Sequence, residues 1–193
     1  MTEGFQIKKA ETGTSVIHPG KFILWLFIVS IVMLFAALTS AYIVRQADGN
    51  WLEYELPWIF WITTMIIIVS SISMHFAYVT AKKNNLKAIK MGLAGTLVLG
   101  IAFLSGQYYS WSVLVDQDVY FTGNPAGSFL YVLTGTHGVH LISGLIFVLI
   151  VLIDSIKYKI HSKNLLRLEL SMIYWHFLGV LWLYLFIFLK LNH

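Results

Sequence analysis

The chain has 193 residues, of which 58% are hydrophobic and 11% charged, with mean hydropathy +0.76. Soluble domains carry about 45–50% apolar and about 25% charged residues, so this chain cannot clothe a water-facing surface, and its apolar content excludes disorder. The absence of Cys excludes disulfides, thiolate metal sites and Cys nucleophiles, and the net charge of +4 must be located along the chain before it is read as nucleic-acid affinity.

A polar leader, residues 1–21, precedes a membrane domain over residues 22–190. A bilayer span needs about 20 mostly apolar residues. Five stretches qualify: Phe22–Val44, Trp58–Val79, Met91–Val113, Ser128–Ile153 and Leu170–Leu189. The first run is too long for a cleaved signal, and it follows a polar leader. None of the five carries the regular charges that mark an amphipathic helix of a soluble core. Pro19, Pro57 and Pro125 each stand ahead of a span and none inside one, which predicts uninterrupted helices. The predicted fold is therefore all-α, with five transmembrane helices.

Lys and Arg locate the positive charge. With five spans, the leader and the second and fourth loops share one face of the membrane. They hold eleven of the thirteen cations, among them Lys21, Lys82, Lys83, Lys157 and Arg167, while Arg45 and Lys190 lie on the other face. Short loops rich in Lys and Arg stay cytoplasmic, which predicts an N-terminus inside and a C-terminus outside. The basic character then reflects topology and anionic headgroups rather than nucleic acid.

Ionisable groups within the spans are few, and each is a functional hypothesis because hydrocarbon makes it costly. His75 and His176 are expected near the cytoplasmic ends of the second and fifth spans. His137 and His140 share a face of the fourth, in its outer to middle part. On that placement no two histidines from different spans are level, as a bis-His haem requires. Two readings of the histidines stay open: metal or haem ligands, and hydrogen bonds to neighbouring helices or headgroups. No central carboxylate supplies a proton relay. Gly92, Gly95 and Gly100, and Thr134, Gly135, Gly138 and Gly144, are spaced for close helix packing.

The last two spans carry strings that identify a family. Gly127–Gly144 reads GSFLYVLTGTHGVHLISG and Tyr174–Phe186 reads YWHFLGVLWLYLF. Both resemble subunit III of haem–copper cytochrome oxidases, with its TG-x-HG-x-H-x-x-x-G run and YWHF-x-x-x-x-W segment. Glu169 resembles the acid that precedes the latter. Ser70–His75 and Gly100–Trp111 resemble the family's earlier core helices, so the likeness covers roughly residues 20–190. The chain is similar to the short, five-helix bacterial form. Three acids common in the family are absent: Ile31 stands at the buried carbodiimide-reactive Glu, Ser110 at a Glu and Gly179 at an Asp.

The resemblance implies a non-catalytic subunit of a proton-pumping terminal oxidase in the bacterial plasma membrane, within a complex that passes electrons from cytochrome c to O2. Haem and copper are then expected in partner subunits I and II and none in this chain. The implied partners are subunit I by direct helix packing, subunit II, small subunits, phospholipids and a respiratory supercomplex. The family holds phospholipid in a V-shaped cleft, for which the first span, with the second, is expected on one side and the last three on the other. Lys82, Lys157 and Arg167 are candidate headgroup contacts inside and Arg45 outside. His137, His140, Glu169 and His176 are candidate polar contacts. The alternatives are subunit III of a quinol oxidase, the related protein of nitric oxide reductase, a haem b anchor using His137 or His140, and a small transporter.

Overall fold

The computed structural model describes residues 18–83, 85–157 and 165–192. Lys8, Lys9, Lys159 and Lys163, which contribute to the charge asymmetry, lie outside them. Five helices run in order: α1 (Pro19–Ala47), α2 (Ile59–Lys82), α3 (Leu86–Asp116), α4 (Pro125–Ile156) and α5 (Leu166–Leu191). All five are long and apolar enough to cross a membrane. Each extends a few residues past its predicted span, because the backbone stays helical into the polar interface until a cap stops it. Pro19 and Pro125 occupy first-turn positions, where the missing N–H costs nothing. His18 Nδ1 accepts from the Gly20 N–H, Asn85 Oδ1 from Ala88 and Asn124 Oδ1 from Ala126.

Helices α2 to α5 pack as a closed ring in which α2 meets α3 and α5, and α4 meets the same two. Small residues draw α2 against α3. A Cβ at Gly92 would lie 2.8 Å from Ala77 Cβ and 3.1 Å from Ala77 backbone atoms, so only glycine fits. Trp175 wedges between α3 and α4, where Cβ atoms at Gly100 and Gly144 would meet its ring at 2.7 and 3.4 Å. Indole and amide donors then find hydroxyl acceptors across the helices, as lipid-buried polar groups must. Trp175 Nε1 donates to Ser70 Oγ (3.2 Å), Trp182 Nε1 to Thr64 Oγ1 (3.0 Å), Gln107 Nε2 to Thr63 Oγ1 (2.8 Å) and Trp111 Nε1 to Thr134 Oγ1 (3.1 Å).

Among the described helices, α1 packs against α4 and α5 only. It buries Ile28, Ile31, Phe35, Thr39 and Tyr42, one stripe at spacings of three and four, with Leu24 and Leu38 half-buried beside it and most of its other apolar side chains exposed. The expected partition of the cleft is corrected here. Helix α2 stands in the ring with the last three, and α1 alone forms the other side. The glycines of α3 hold α2 too closely for it to side with α1.

Two end-fastenings hold α1. At one end Lys21 Nζ meets Glu169 Oε1 at 2.6 Å. At the other, Tyr42 Oη and Gln46 Nε2 donate to the Asn192 carbonyl at 2.8 and 3.0 Å. On that second end the 48–58 connection folds over α4, where Leu52 N–H donates to Asn124 Oδ1 and Asn124 Nδ2 to the Asn50 carbonyl. Tyr120, in the 117–124 connection, donates its hydroxyl to Asp118 Oδ1 at 3.1 Å. That bond, together with the carboxylate's charge, pushes the phenol above its ordinary value.

Candidate functional site

The eight candidate contact residues do not converge on one place. Five of them fall into an end cluster, a seam and a groove, and Lys82, Arg45 and His137 stand outside all three.

The first group closes the basic end. Asp154, buried at the end of α4, accepts from Arg167 Nη1 at 2.5 Å, while the guanidinium side chain stays 64% exposed. One edge of Arg167 is therefore free for another acceptor. Lys157 caps α4 and is exposed beside it. Glu169 lies two residues further along α5 and is held by Lys21. Lys82 is apart from these, extending over the Tyr78 ring at 4.5 Å. Arg45 is at the far end of α1, 3.4 Å from Asp48.

The second group lines the seam between α1 and the ring. Gly20, Ile23, Leu24 and Phe27 of α1 face Ser143 and Phe147 of α4 and Leu170 and Tyr174 of α5 across a cavity of about 370 Å³. Ser143 and Tyr174 hydroxyls share a bond of 2.8 Å, and Phe27 packs on Tyr174 at 5.7 Å between ring centres. The Lys21–Glu169 pair sits at the mouth, since Gly20 and Leu170 are lining residues. His140 is further along the seam. Its Nδ1 bonds the Thr136 carbonyl at 2.8 Å, so Nδ1 carries the proton, and its ring packs on Phe35 at 5.8 Å. Ile31, 3% exposed, belongs to the same α1 stripe one turn before Phe35. An apolar side chain occupies that position, and nothing there titrates.

His137 is fully buried. Phe35, Phe103 and Trp182 surround its ring at 6.5, 6.1 and 5.2 Å, and neither nitrogen has a hydrogen-bond partner among the described residues. The aromatic walls leave no room for a porphyrin, so His137 does not fit a haem ligand.

The third group corrects one expectation, that no two histidines from different spans stand level. His75 of α2 and His176 of α5 are level, with ring centres 6.0 Å apart. His75 lies seven residues before Lys82 and His176 ten residues after Leu166, about 10 and 15 Å inside their helix ends. They line a groove of about 270 Å³, below the smallest volumes usual for drug-sized ligands. No group of three or more His, Asp or Glu among the described residues is placed to hold a metal ion.

Sequence reasoning missed Lys21, Asp154 and Ser143 as structural members of these groups. For the first a signal was present: Lys21 and Glu169 each stand at the entrance of a span, and the first and fifth spans of an odd series begin on the same face.

This arrangement defines a polytopic, all-α membrane protein with a four-helix ring and one helix set against two of its members. A family model described as cytochrome c oxidase subunit III matches residues 52–192. Cytochrome c oxidase subunit 3 of Alkalihalophilus pseudofirmus is 31% identical over 170 residues, covering 84% of this chain and 81% of the relative. Cytochrome c oxidase subunit 3 of Bacillus sp. PS3 is 29% identical over 167 residues, covering 84% and 80%. Cytochrome bo(3) ubiquinol oxidase subunit 3 of Buchnera aphidicola is 28% identical over 174 residues, covering 88% and 92%. The chain belongs to the cytochrome c oxidase subunit III family. It is an oxidase subunit III, a multi-pass protein of the bacterial plasma membrane that associates with other subunits of a terminal oxidase.

Proposed function

We propose that this subunit carries no redox centre and serves its oxidase by packing against subunit I and by holding phospholipid in the seam between α1 and the α4–α5 edge. The observation that carries this reading is the seam itself. A slot of about 370 Å³, walled by Phe27, Phe147 and Leu170, suits an acyl chain, and charged groups stand at its mouth. The exposed edge of Arg167 and the nearby Lys157 then receive the phosphate by charge-assisted hydrogen bonds. Lys82 and Arg45 serve other headgroups of the surrounding lipid, and His140 with Glu169 lines the path of the held one. His137 and His176 take no part in this contact, because one is enclosed and the other faces α2.

The first residues of α1, α3 and α5 face the cytoplasm in this reading, and the last residues of α5 face outward. Support comes from the cations: Lys21, Lys82, Lys83, Lys87, Lys90, Lys157 and Arg167 share one end, and Arg45 and Lys190 the other. Haem and copper belong to partner subunits I and II, and cytochrome c is the electron donor. A quinol-driven complex is the second reading, favoured by the similarity to a ubiquinol oxidase subunit 3.

The test is to purify the oxidase bearing Arg167→Ala with Lys157→Ala and to count retained phospholipid by mass spectrometry. At least one phospholipid per complex is lost if the seam holds it there. Unchanged lipid content overturns the assignment. Turnover of the same preparation with reduced cytochrome c and with quinol decides the donor.

A further inference from the structure

The groove between α2 and α5 is a second, separate feature of the membrane-embedded surface, on the far side of α5 from the seam with α1. His176 is half-buried in it and His75 is exposed along it, and neither imidazole has a hydrogen-bond partner among the described residues. Their ring centres, 6.0 Å apart, leave the nitrogens too distant to bond each other. Two unsatisfied imidazoles on membrane-spanning helices are costly, since lipid tails offer them no partner. Ser71 adds a hydroxyl to the same wall, and Gly179 keeps it open: a Cβ there would lie 3.1 Å from Ser71 Oγ. Ile72 and Val180, both 64% exposed, form the rim, so the entrance is lateral, from the bilayer.

Charge selects among occupants. The lining contains no acidic side chain, so a divalent cation would bring uncompensated charge to this depth. A phospholipid headgroup carries full charges as well, which this lining without acidic, Lys or Arg side chains does not offset. The occupant is then neutral, dissolved in the membrane, and furnished with an oxygen that both imidazoles can reach. An N–H···O bond places an acceptor about 4 Å from the ring centre, and two centres 6.0 Å apart can share one such oxygen. A cavity of about 270 Å³ admits a single flat ring and the start of a tail.

We infer that the α2–α5 groove binds the ring of a neutral isoprenoid quinone or quinol, with His75 and His176 converging on one ring oxygen and the tail leaving past Ile72 and Val180. This is a binding site, separate from the catalytic centres of the complex, and it is independent of the phospholipid seam proposed above. It gives an oxidase of this type a docked lipid-soluble carrier on its subunit III.

The experiment uses the whole purified oxidase in proteoliposomes with a photoactivatable azido-quinone. Labelling is expected in peptides containing His75 or His176, competed by unlabelled quinone. It falls at least tenfold in the His75→Phe/His176→Phe variant and in Gly179→Leu, which fills the groove. His75→Gln/His176→Gln, which keeps N–H donors, retains it. Unchanged labelling in the Phe and Leu variants, or labelling confined to other subunits, overturns the proposal. Equal, mutually competing labelling by a photoactivatable diacylglycerol overturns the ring assignment, and saturable Zn²⁺ binding that requires both histidines overturns neutrality. Assembly and retained phospholipid, measured on the same variants, separate a misfolded subunit and the seam from this site, and the Gln variant keeps the test decisive if a Phe variant does not assemble.

Discussion

Replacing His137 with Leu should stabilise the protein. The ring is fully enclosed by Phe35, Phe103 and Trp182, and both nitrogens are without partners. A neutral imidazole presents one donor and one acceptor. Each buried polar group left unsatisfied costs about 1–3 kcal/mol. Contact of the N–H with the Trp182 face, at 5.2 Å between ring centres, recovers about 0.5–1 kcal/mol of this. Leu fills a similar volume without polar atoms, so His137→Leu gains about 1–5 kcal/mol, at least about fivefold in the folded-to-unfolded ratio. His137→Ala leaves a void and falls below the parent, because cavity formation costs about 2–5 kcal/mol. The assay is reversible SDS denaturation of the purified oxidase, followed by Trp fluorescence. A His137→Leu protein less stable than its parent would refute the reasoning, since the ring would have to be making a bond that the leucine loses.

Three further outcomes follow from the geometry. Gly92→Ala drives a methyl into the Ala77 backbone of α2, which cannot yield; it costs about 1–3 kcal/mol of overpacking, and Gly92→Leu prevents assembly, read by recovery of the complex. Glu169→Gln removes the carboxylate held by Lys21; the pair is about one-third exposed, so the loss is under about 1 kcal/mol, and the salt dependence of stability should flatten in the variant. Asp118→Asn lets the Tyr120 phenol titrate at lower pH than in the parent, because deprotonation beside Asp118 places two negative charges together; ultraviolet titration of the phenolate band checks this, and an unchanged midpoint contradicts the bond.

The spans and their number were legible because length and apolar content alone decide whether a helix crosses a bilayer. The ends were less so. Pro19, Asn85 and Asn124 set them by cap chemistry, beyond where apolarity stops. Lateral arrangement was largely hidden. Gly92 announces a close approach without naming its partner, and Ala77 is unremarkable until α2 is seen against it. That His75 and His176 stand side by side was hidden for the same reason, since nothing in either span says that α2 and α5 are neighbours. The candidate headgroup residues were found by charge and proximity to span ends. Their division into an end cluster, a seam and a groove depends on rotation about each helix axis, which a single sequence does not give when every face is apolar.

Helix α1 leaves the ribosome first, yet its fastenings come last. Tyr42 bonds a carbonyl 150 residues further along, and Lys21 pairs with a carboxylate 148 residues away. Helices α2 and α3, by contrast, meet through a short turn as soon as both are made. Domains of this size assemble as synthesis proceeds. The first-made helix must therefore wait in the bilayer, in contact with lipid alone, until the ring is nearly closed. Its exposed apolar surface suits that interval, and lipid already solvating α1 is in position to be enclosed when it docks. On this order of events, filling the seam is a step in the biogenesis of the subunit rather than an event that follows it.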